Sequence, residues 1–529
     1  MPIQRAVIEN YRALKTADVT FHEGMNVVVG DNEAGKSTLL EAVNLALRGQ
    51  INRRAVQYEL HPFLINADAV SEFIASHRQG NPIPPPEIKI EVFLADTPEV
   101  AALRGSNNSE KADACGVSLT IGLDEAFQAE FTSYVADPEA LNSVPIEYYK
   151  VVWESFAGEP LSTQSVPVKT ALIDPSSISN SYSANKYVLE IVRDYLTKSQ
   201  SVDLALAYRS MRDEFQDDAR IEAINADLAT KRGIVSDKVL SVAMDTTTRA
   251  SWETGVLPHL DSIPLTLVGK GEQNSVKIKL AIEAAESCDL FLMEEPENHL
   301  SHANLGRLVS HLADRCGGKQ LIVSTHSSFV LNKLGIDRVM MFNGESAVTL
   351  DDLPPDTMSY FQRLPGHDTL RLILAARSIL VEGPSDELIV QKGYRQQHGC
   401  LPLEQGVEVI SVGTSFKRFL DIARLLKLDV SVVRDNDGDP DGKRALFDYY
   451  GADDTIHIHI DDDANARTLE PQLIKANGLQ KLNQMLGTTF ATETELSDHM
   501  EANKTDTALT LFGHADELVI PGYINGAIR

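Results

Sequence analysis

Two sets of residues in this chain have the types and spacing of phosphate chemistry. The first is Gly30-Asp31-Asn32-Glu33-Ala34-Gly35-Lys36-Ser37, with Thr38 after it, which fits the pattern G-x-x-x-x-G-K-S/T without a mismatch. Glycines there let backbone N–H groups crowd an anion at the positive end of a helix. Lys36 then meets the β- and γ-phosphates of a nucleotide, and Ser37 offers its hydroxyl to Mg²⁺. The second set is acidic: Glu382-Gly383-Pro384-Ser385-Asp386 and Asp435-Asn436-Asp437 each follow an apolar, β-branched run. Carboxylate oxygens are hard donors that suit Mg²⁺ or Mn²⁺. Two such ions can activate water and stabilise the leaving oxygen of a phosphodiester.

The flanking patterns supply the elements that must hold these residues. Val27-Val28-Val29 reads as a strand into the glycine loop, and residues 38–43 as the first turns of a helix. Residues 289–293 form an apolar strand ending in Glu294 and Glu295, a Walker B pattern. There Glu294 would hold the Mg²⁺ shell and Glu295 polarise an attacking water. Further on, residues 378–382, 407–413 and 430–434 read as strands, with a helix over 416–426. That alternation predicts a small parallel sheet whose strand carboxyl ends bring Glu382, Asp435 and Asp437 together.

The remaining chain reads more plainly. Residues 3–12 and 17–21 are two short strands, 81–86 a proline-rich loop, and 87–94 a half-exposed strand by its period-two alternation. From 183 to 246 the period turns helical, with Val188, Leu189, Val192, Tyr195 and Leu196 on one stripe and no heptad run long enough for a coiled-coil arm. This is a compact insertion, either a dimerisation element or a layer on its own domain. A Pro- and Asp-rich stretch near 351–356 reads as a linker. His457 and His459 alternate on one strand face, and Asp461-Asp462-Asp463 reads as a solvated turn rather than a ligand set.

With 529 residues the chain has room for three or four domain-sized units, and 43% hydrophobic and 23% charged residues are ordinary for a globular protein. No apolar run approaches the ~20 residues of a membrane span, and the N-terminus lacks the apolar core of a signal peptide. Four scattered cysteines, Cys115, Cys288, Cys316 and Cys400, form neither a disulfide framework nor a C-x-x-C pair, which fits reduced thiols in the cytoplasm. The formal charge of −28 opposes nucleic-acid binding, because that binding is driven by phosphate neutralisation. A local basic groove would be needed, and Lys417, Arg418, Arg434, Lys443 and Arg444 are the candidates near the acidic motifs.

In order along the chain these motifs resemble ABC-type ATPases of the SMC and RecF kind. Residues 9–14 are similar to their opening motif, which implies that Arg12 approaches the bound phosphates. Residues 265–273 resemble their signature loop, with Gly271 and Gln273 reading the γ-phosphate from an opposite subunit, although Gly269 stands where serine is usual. His326 falls where these ATPases keep a γ-phosphate-sensing histidine. The second half resembles a Toprim domain, and the resemblance implies that Asp386 and Glu470 complete its metal site while Lys504 steadies transition-state charge. The whole chain resembles the OLD (overcoming lysogenization defect) family of ATP-dependent nucleases, most closely the nuclease of Gabija-type antiviral defence.

The expected α/β architecture is therefore an ATPase head over 1–182 and 247–350, interrupted by the helical insertion 183–246, then a linker 351–375 and a Toprim domain 376–529. The resemblance implies ATP and Mg²⁺ or Mn²⁺ as cofactors, double-stranded DNA as substrate, a homodimer or higher homo-oligomer, and a helicase-like partner protein. A topoisomerase would need a nucleophilic tyrosine near the cluster, and nothing in the sequence marks one. A purely structural DNA clamp would need coiled-coil arms. An RNA-cutting Toprim enzyme shares the chemistry and differs only in 2′-OH contacts.

Overall fold

The computed structural model describes the chain except residues 1–2, 32, 52–53, 140, 164, 174–188, 190–191, 193–195, 231–237, 245–255, 285–287, 299, 316–317, 328–329, 332–333, 335, 364–366 and 529. Asn32 of the glycine loop and Val188 and Tyr195 of the helical stripe lie outside the described residues. Contacts divide the chain into two units, Met1–Asn26 with Ser37–Thr325, and Val27–Lys36 with His326–Arg529.

In the first unit, β1 (Ile3–Tyr11) turns back antiparallel into β2 (Leu14–Thr20), and Asn10 and Arg12 take positive φ to make the turn. β3 (Met25–Val29) and α1 (Lys36–Arg48) flank the glycine loop; Val27–Lys36 counts with the second unit and the rest of both elements with the first. On its other edge β1 pairs with β4 (Ile88–Leu94), β4 with β5 (Ala114–Leu123), and β5 with β6 (Tyr149–Ser155), all antiparallel. The alternation of residues 87–94 predicts a half-exposed strand, but β4 is almost wholly buried. It is an interior strand, and its polar Glu91 is satisfied within the unit by Ser109 N–H (2.8 Å) and Lys89 Nζ (2.9 Å). A buried carboxylate with such partners no longer marks a solvent face.

Parallel strands β7 (Thr170–Ile173), β8 (Leu290–Glu294) and β9 (Gln320–Ser324) follow in register. Their near-continuous apolar runs suit strands covered on both faces. Within the stretch 183–246, α2 (Lys198–Gln216) and α3 (Ala219–Ala229) bury no residue. The helix expected from about residue 275 begins earlier, as α4 (Lys270–Ala284), so the supposed loop residues Gly271 and Gln273 lie in its first turn.

In the second unit, β3 pairs parallel with β10 (Val339–Phe342), which pairs antiparallel with β11 (Ala347–Thr349). A separate α/β body follows: β12 (Arg377–Val381), α5 (Pro384–His398), β13 (Val407–Ser411), α6 (Phe416–Leu426), β14 (Val430–Val433) and β15 (Ile456–His459). The sheet order is β13-β12-β14-β15 and every pair is parallel. Helices α7 (Leu469–Asn477), α8 (Lys504–Gly513) and α9 (Gly522–Ala527) bring Leu473, Leu511 and Ile524 into one core with Ile379 and Val381 of β12. Among the described residues no helix is long and apolar enough to cross a membrane.

One buried amide ties the first unit together ahead of the strand end that leads to Thr325. Gln320, 2% exposed, donates from Nε2 to the carbonyls of Ile3 (2.9 Å) and His22 (2.7 Å) and accepts from Ile3 N–H (2.7 Å). Gln320→Ala removes the amide from the Ile3 N–H and carbonyl, while the His22 carbonyl keeps Asn26 Nδ2 (3.0 Å), so it should destabilise this unit by on the order of 2 kcal/mol, read as a lower urea midpoint.

Candidate active site

The glycine loop is shaped by close approach. A Cβ on Gly30 would fall 2.2 Å from the Phe342 carbonyl oxygen, and Gly35 has φ of 83°, so neither position accepts a side chain without strain. Lys36 is buried and lies across its own loop, its Nζ donating to the carbonyls of Gly30 (2.9 Å) and Asp31 (2.7 Å). Ser37 is exposed and Thr38 buried. His326 opens the His326–Arg529 stretch of the same unit.

In the other unit, Glu294 ends β8 and Glu295 follows with φ of 35°. Glu295 is fixed by its own N–H to Ser324 O (2.9 Å) and by Asn298 Nδ2 donating to its carboxylate (2.7 Å). Gln273 is turned inward, its amide donating to the carbonyls of Val268 (2.6 Å) and Thr266 (3.3 Å). Arg12 pairs with Glu41 (2.6 Å).

The acidic residues converge at the carboxyl end of the parallel sheet. Glu382 follows β12 and is gripped by Arg434 at the end of β14, Nε to Oε1 at 3.2 Å. Arg434 in turn lies over the rings of Phe416 and Phe447, 5.5 and 5.6 Å from their centroids, which fixes its direction. Asp386 stands in the first turn of α5, where Pro384 starts the helix and Gly383 N–H donates to its carboxylate (3.0 Å). Glu470, in the first turn of α7, is buried, accepts from Thr468 Oγ1 (2.9 Å) and lies 3.6 Å from Lys504 Nζ at the start of α8.

The middle residue of D-x-D does the joining. Asn436 is 2% exposed, and its Nδ2 faces the carbonyls of Asp461 (3.2 Å), Asp463 (2.9 Å) and Ala466 (3.2 Å), while its Oδ1 accepts from Gly438 N–H (2.8 Å). Asp437 N–H donates to Arg467 O (3.1 Å). The loop after β14 is thereby pinned to the segment that leads into Glu470.

Burial and mutual repulsion set the protonation of this group. Burial, then the charges of Glu382 and Glu470, push Asp386 up to about 7 against the opposing Gly383 N–H. Burial, then Asp386, Glu382 and Glu470, push Asp435 up to about 8, against the opposing charge of Lys504. Burial also raises Glu382, with Arg434 opposing. A helix-start N–H cannot offset desolvation plus like charges.

The structure thus draws Glu382, Asp386, Asp435, Glu470 and Lys504 into one electrostatic group. Asp437 is exposed and paired with Lys443 (2.5 Å). Hard, largely half-buried, mutually repelling oxygen donors fit a divalent cation chemically, yet among the described residues no three such side chains already surround a common point. A cation could be held there only after side-chain rotation. The expected basic groove is largely spent: Arg418 pairs with Asp356, Arg434 with Glu382, Lys443 with Asp437 and Arg444 with Asp462. Asp463 pairs with Lys475 (2.7 Å), as suits a surface turn. Sequence reasoning passed over Asn436 and Tyr523. The charges of Asp435, Asp386, Asp461 and Glu470 all act on Tyr523, and only the fold of α9 reveals this.

Residues 373–437 match the TOPRIM domain of overcoming lysogenization defect protein-like proteins. Residues 5–91 match an AAA domain, and 167–332 an AAA domain of the AbiEii toxin, Type IV TA system kind. The chain therefore carries AAA ATPase segments and an OLD-like TOPRIM domain in one α/β polypeptide. Glu470, Lys504 and Tyr523 lie beyond the TOPRIM match. The DNA replication and repair protein RecF of Pasteurella multocida is 32% identical over 94 residues, 16% of this chain and 26% of that protein. The DNA double-strand break repair Rad50 ATPase of Methanopyrus kandleri is 53% identical over 45 residues, 8% of this chain and 5% of that protein. The chain thus spans about a quarter or less of these curated relatives. Among solved structures, the SMC head domain from Thermotoga maritima is 13% identical with a TM-score of 0.30, covering 66% of this chain and 99% of that one. The recombination mediator RecF-ATPrS is 13% identical with a TM-score of 0.33, covering 66% and 98%.

Between about pH 4 and 7, Asp386 and Asp435 hold protons that an unfolded chain, with aspartate at about 3.9, has already released. Their stabilisation is whole below about pH 4 and is lost as pH rises through about 7 to 8. Without divalent metal, Asp435→Asn should melt about 2–5 °C above the wild type at pH 8 and level with it near pH 4. Melting curves in chelator across that range check this; a constant offset at every pH would contradict it.

Proposed function

We propose that this chain is an ATP-regulated, divalent-metal-dependent DNA endonuclease. The observation that carries the reading is the partly buried, mutually coupled group of Glu382, Asp386, Asp435 and Glu470, with Lys504 beside it, in a chain that also has a P-loop. In this reading Lys36 leaves the Gly30 and Asp31 carbonyls for nucleotide phosphates. Gly30, Asn32, Gly35 and Thr38 shape that loop; Ser37 and Glu294 hold the nucleotide's Mg²⁺, and Glu295 orients water. Arg12, Gly271, Gln273 and His326 respond to the phosphates, so that the heads close as a homodimer or larger homo-oligomer.

Glu382, Asp386, Asp435, Asp437 and Glu470 would hold Mg²⁺ or Mn²⁺. The bound ions supply Lewis acidity and a more acidic water to phosphodiester hydrolysis. The chain's own part is positional. Arg434 releases or shares Glu382, Asn436 keeps the D-x-D loop against the Glu470 segment, and Lys504 meets developing charge on the phosphate. Asp386 and Asp435 give up their protons as they take a cation. The domain boundaries are those given above, with 376–529 as the nuclease and 183–246 as the insertion. The OLD-like TOPRIM match and the AAA matches support the general reading. The finer one is a Gabija-type nuclease acting in cytoplasmic antiviral defence on double-stranded DNA beside a helicase-like partner.

Plasmid nicking with Mg²⁺ or Mn²⁺ tests the reading. Glu382→Ala should lose at least about 100-fold in cleavage while still binding ATP, and Lys36→Ala should lose ATP binding. Cleavage that persists in Glu382→Ala would move the active site elsewhere.

A further inference from the structure

Tyr523 sits on α9, which packs against β14 and β15. The helix is tightly held. Arg377 Nη2 donates to Ala527 O (2.7 Å), His398 Nε2 to Ile528 O (3.0 Å) and Asn525 Nδ2 to Ile520 O (3.1 Å). Gly526 lets it approach β15 so closely that a Cβ there would fall 2.7 Å from His459 Nδ1. These contacts fix the backbone that carries Tyr523 against the sheet.

Tyr523 is 8% exposed, and its hydroxyl has no hydrogen-bond partner among the described residues. A buried hydroxyl without a partner is costly and uncommon, so it calls for a reason. The charges acting on it are carboxylates, Asp435 most strongly, then Asp386, Asp461 and Glu470. Burial and these charges hold its phenol well above the ordinary range, so it remains a neutral donor with one proton to offer. As the side chains stand, no three described carboxylates surround a common point, so loading must turn some of them.

We propose that Tyr523 is a positioning residue of the carboxylate group: its hydroxyl donates to Asp435 when that carboxylate turns to share a divalent cation with Glu382 and Asp386. The donated bond fixes which Asp435 oxygen is left for the metal. This rests on the metal-binding reading above and adds to it a partner outside the TOPRIM match. A nucleophilic role would need a hydroxyl that a DNA phosphate can reach, and this one is enclosed. Outer partners of metal ligands typically set affinity by about 10–100-fold.

The test uses the full chain, Mn²⁺ alone as probe and the amplitude of the free-Mn²⁺ paramagnetic resonance signal, without DNA. Tyr523→Phe should bind Mn²⁺ about 10–100-fold more weakly than the wild type. The Mn²⁺ needed for half-maximal plasmid cleavage should shift by the same factor. Its melting temperature in EDTA should not fall, because the hydroxyl has no partner to lose. Equal Mn²⁺ affinity overturns the proposal; so does a lower metal-free melting temperature, which would make the hydroxyl a structural support. A covalent protein–DNA adduct that Tyr523→Phe abolishes overturns it as well, by making the residue a nucleophile. If wild type and Glu382→Ala bind Mn²⁺ equally, the metal-binding reading itself fails, and the positioning role goes with it.

Discussion

Several carboxylates cannot all keep their charge at one partly buried sheet end unless something positive joins them. That repulsion governs the rest of the second unit. It leaves Asp386 and Asp435 holding protons near neutral pH, and it sets Arg434 against Glu382 and Lys504 beside Glu470. Each brace comes from a different element, so the geometry depends on the whole parallel sheet. Asn436 closes it by pinning the loop after β14 to the Asp461–Ala466 backbone.

The same economy shapes the surface around the site. A chain with a formal charge of −28 needs cations close to any DNA phosphate it approaches. Yet Arg418, Arg434, Lys443 and Arg444 are engaged by neighbouring carboxylates. Metal ions that take over Glu382 and Asp437 would free Arg434 and Lys443, so cation binding and DNA attraction would rise together. On the proposed function, the acidic body would discriminate against nucleic acid until the site is charged with metal.

Much of this was legible in the sequence because it is local. A glycine loop between a β-branched strand and a helix, or an apolar run ending in Glu382 or Asp435, needs no tertiary knowledge. What stayed hidden depends on distant partners. Alternation made residues 87–94 look half exposed, but Glu91 finds its partners in Ser109 and Lys89. The basic residues looked like a groove because their acidic partners are far away in sequence, such as Asp356 for Arg418 and Glu382 for Arg434. Gln273 gave no sign that its amide turns back onto Thr266 and Val268. Tyr523 carries no motif at all; only α9 folding onto β14 and β15 brings it to the carboxylates.

The central claim is that protons hold the places divalent cations would take. Titration calorimetry of Mn²⁺ into the full chain at pH 7, repeated in buffers of different ionisation enthalpy, measures this directly. With Asp386 near about 7 and Asp435 near about 8, the account predicts release of roughly one proton or a little more per chain as the metal binds. Binding with no proton release, or no binding at all, would contradict it.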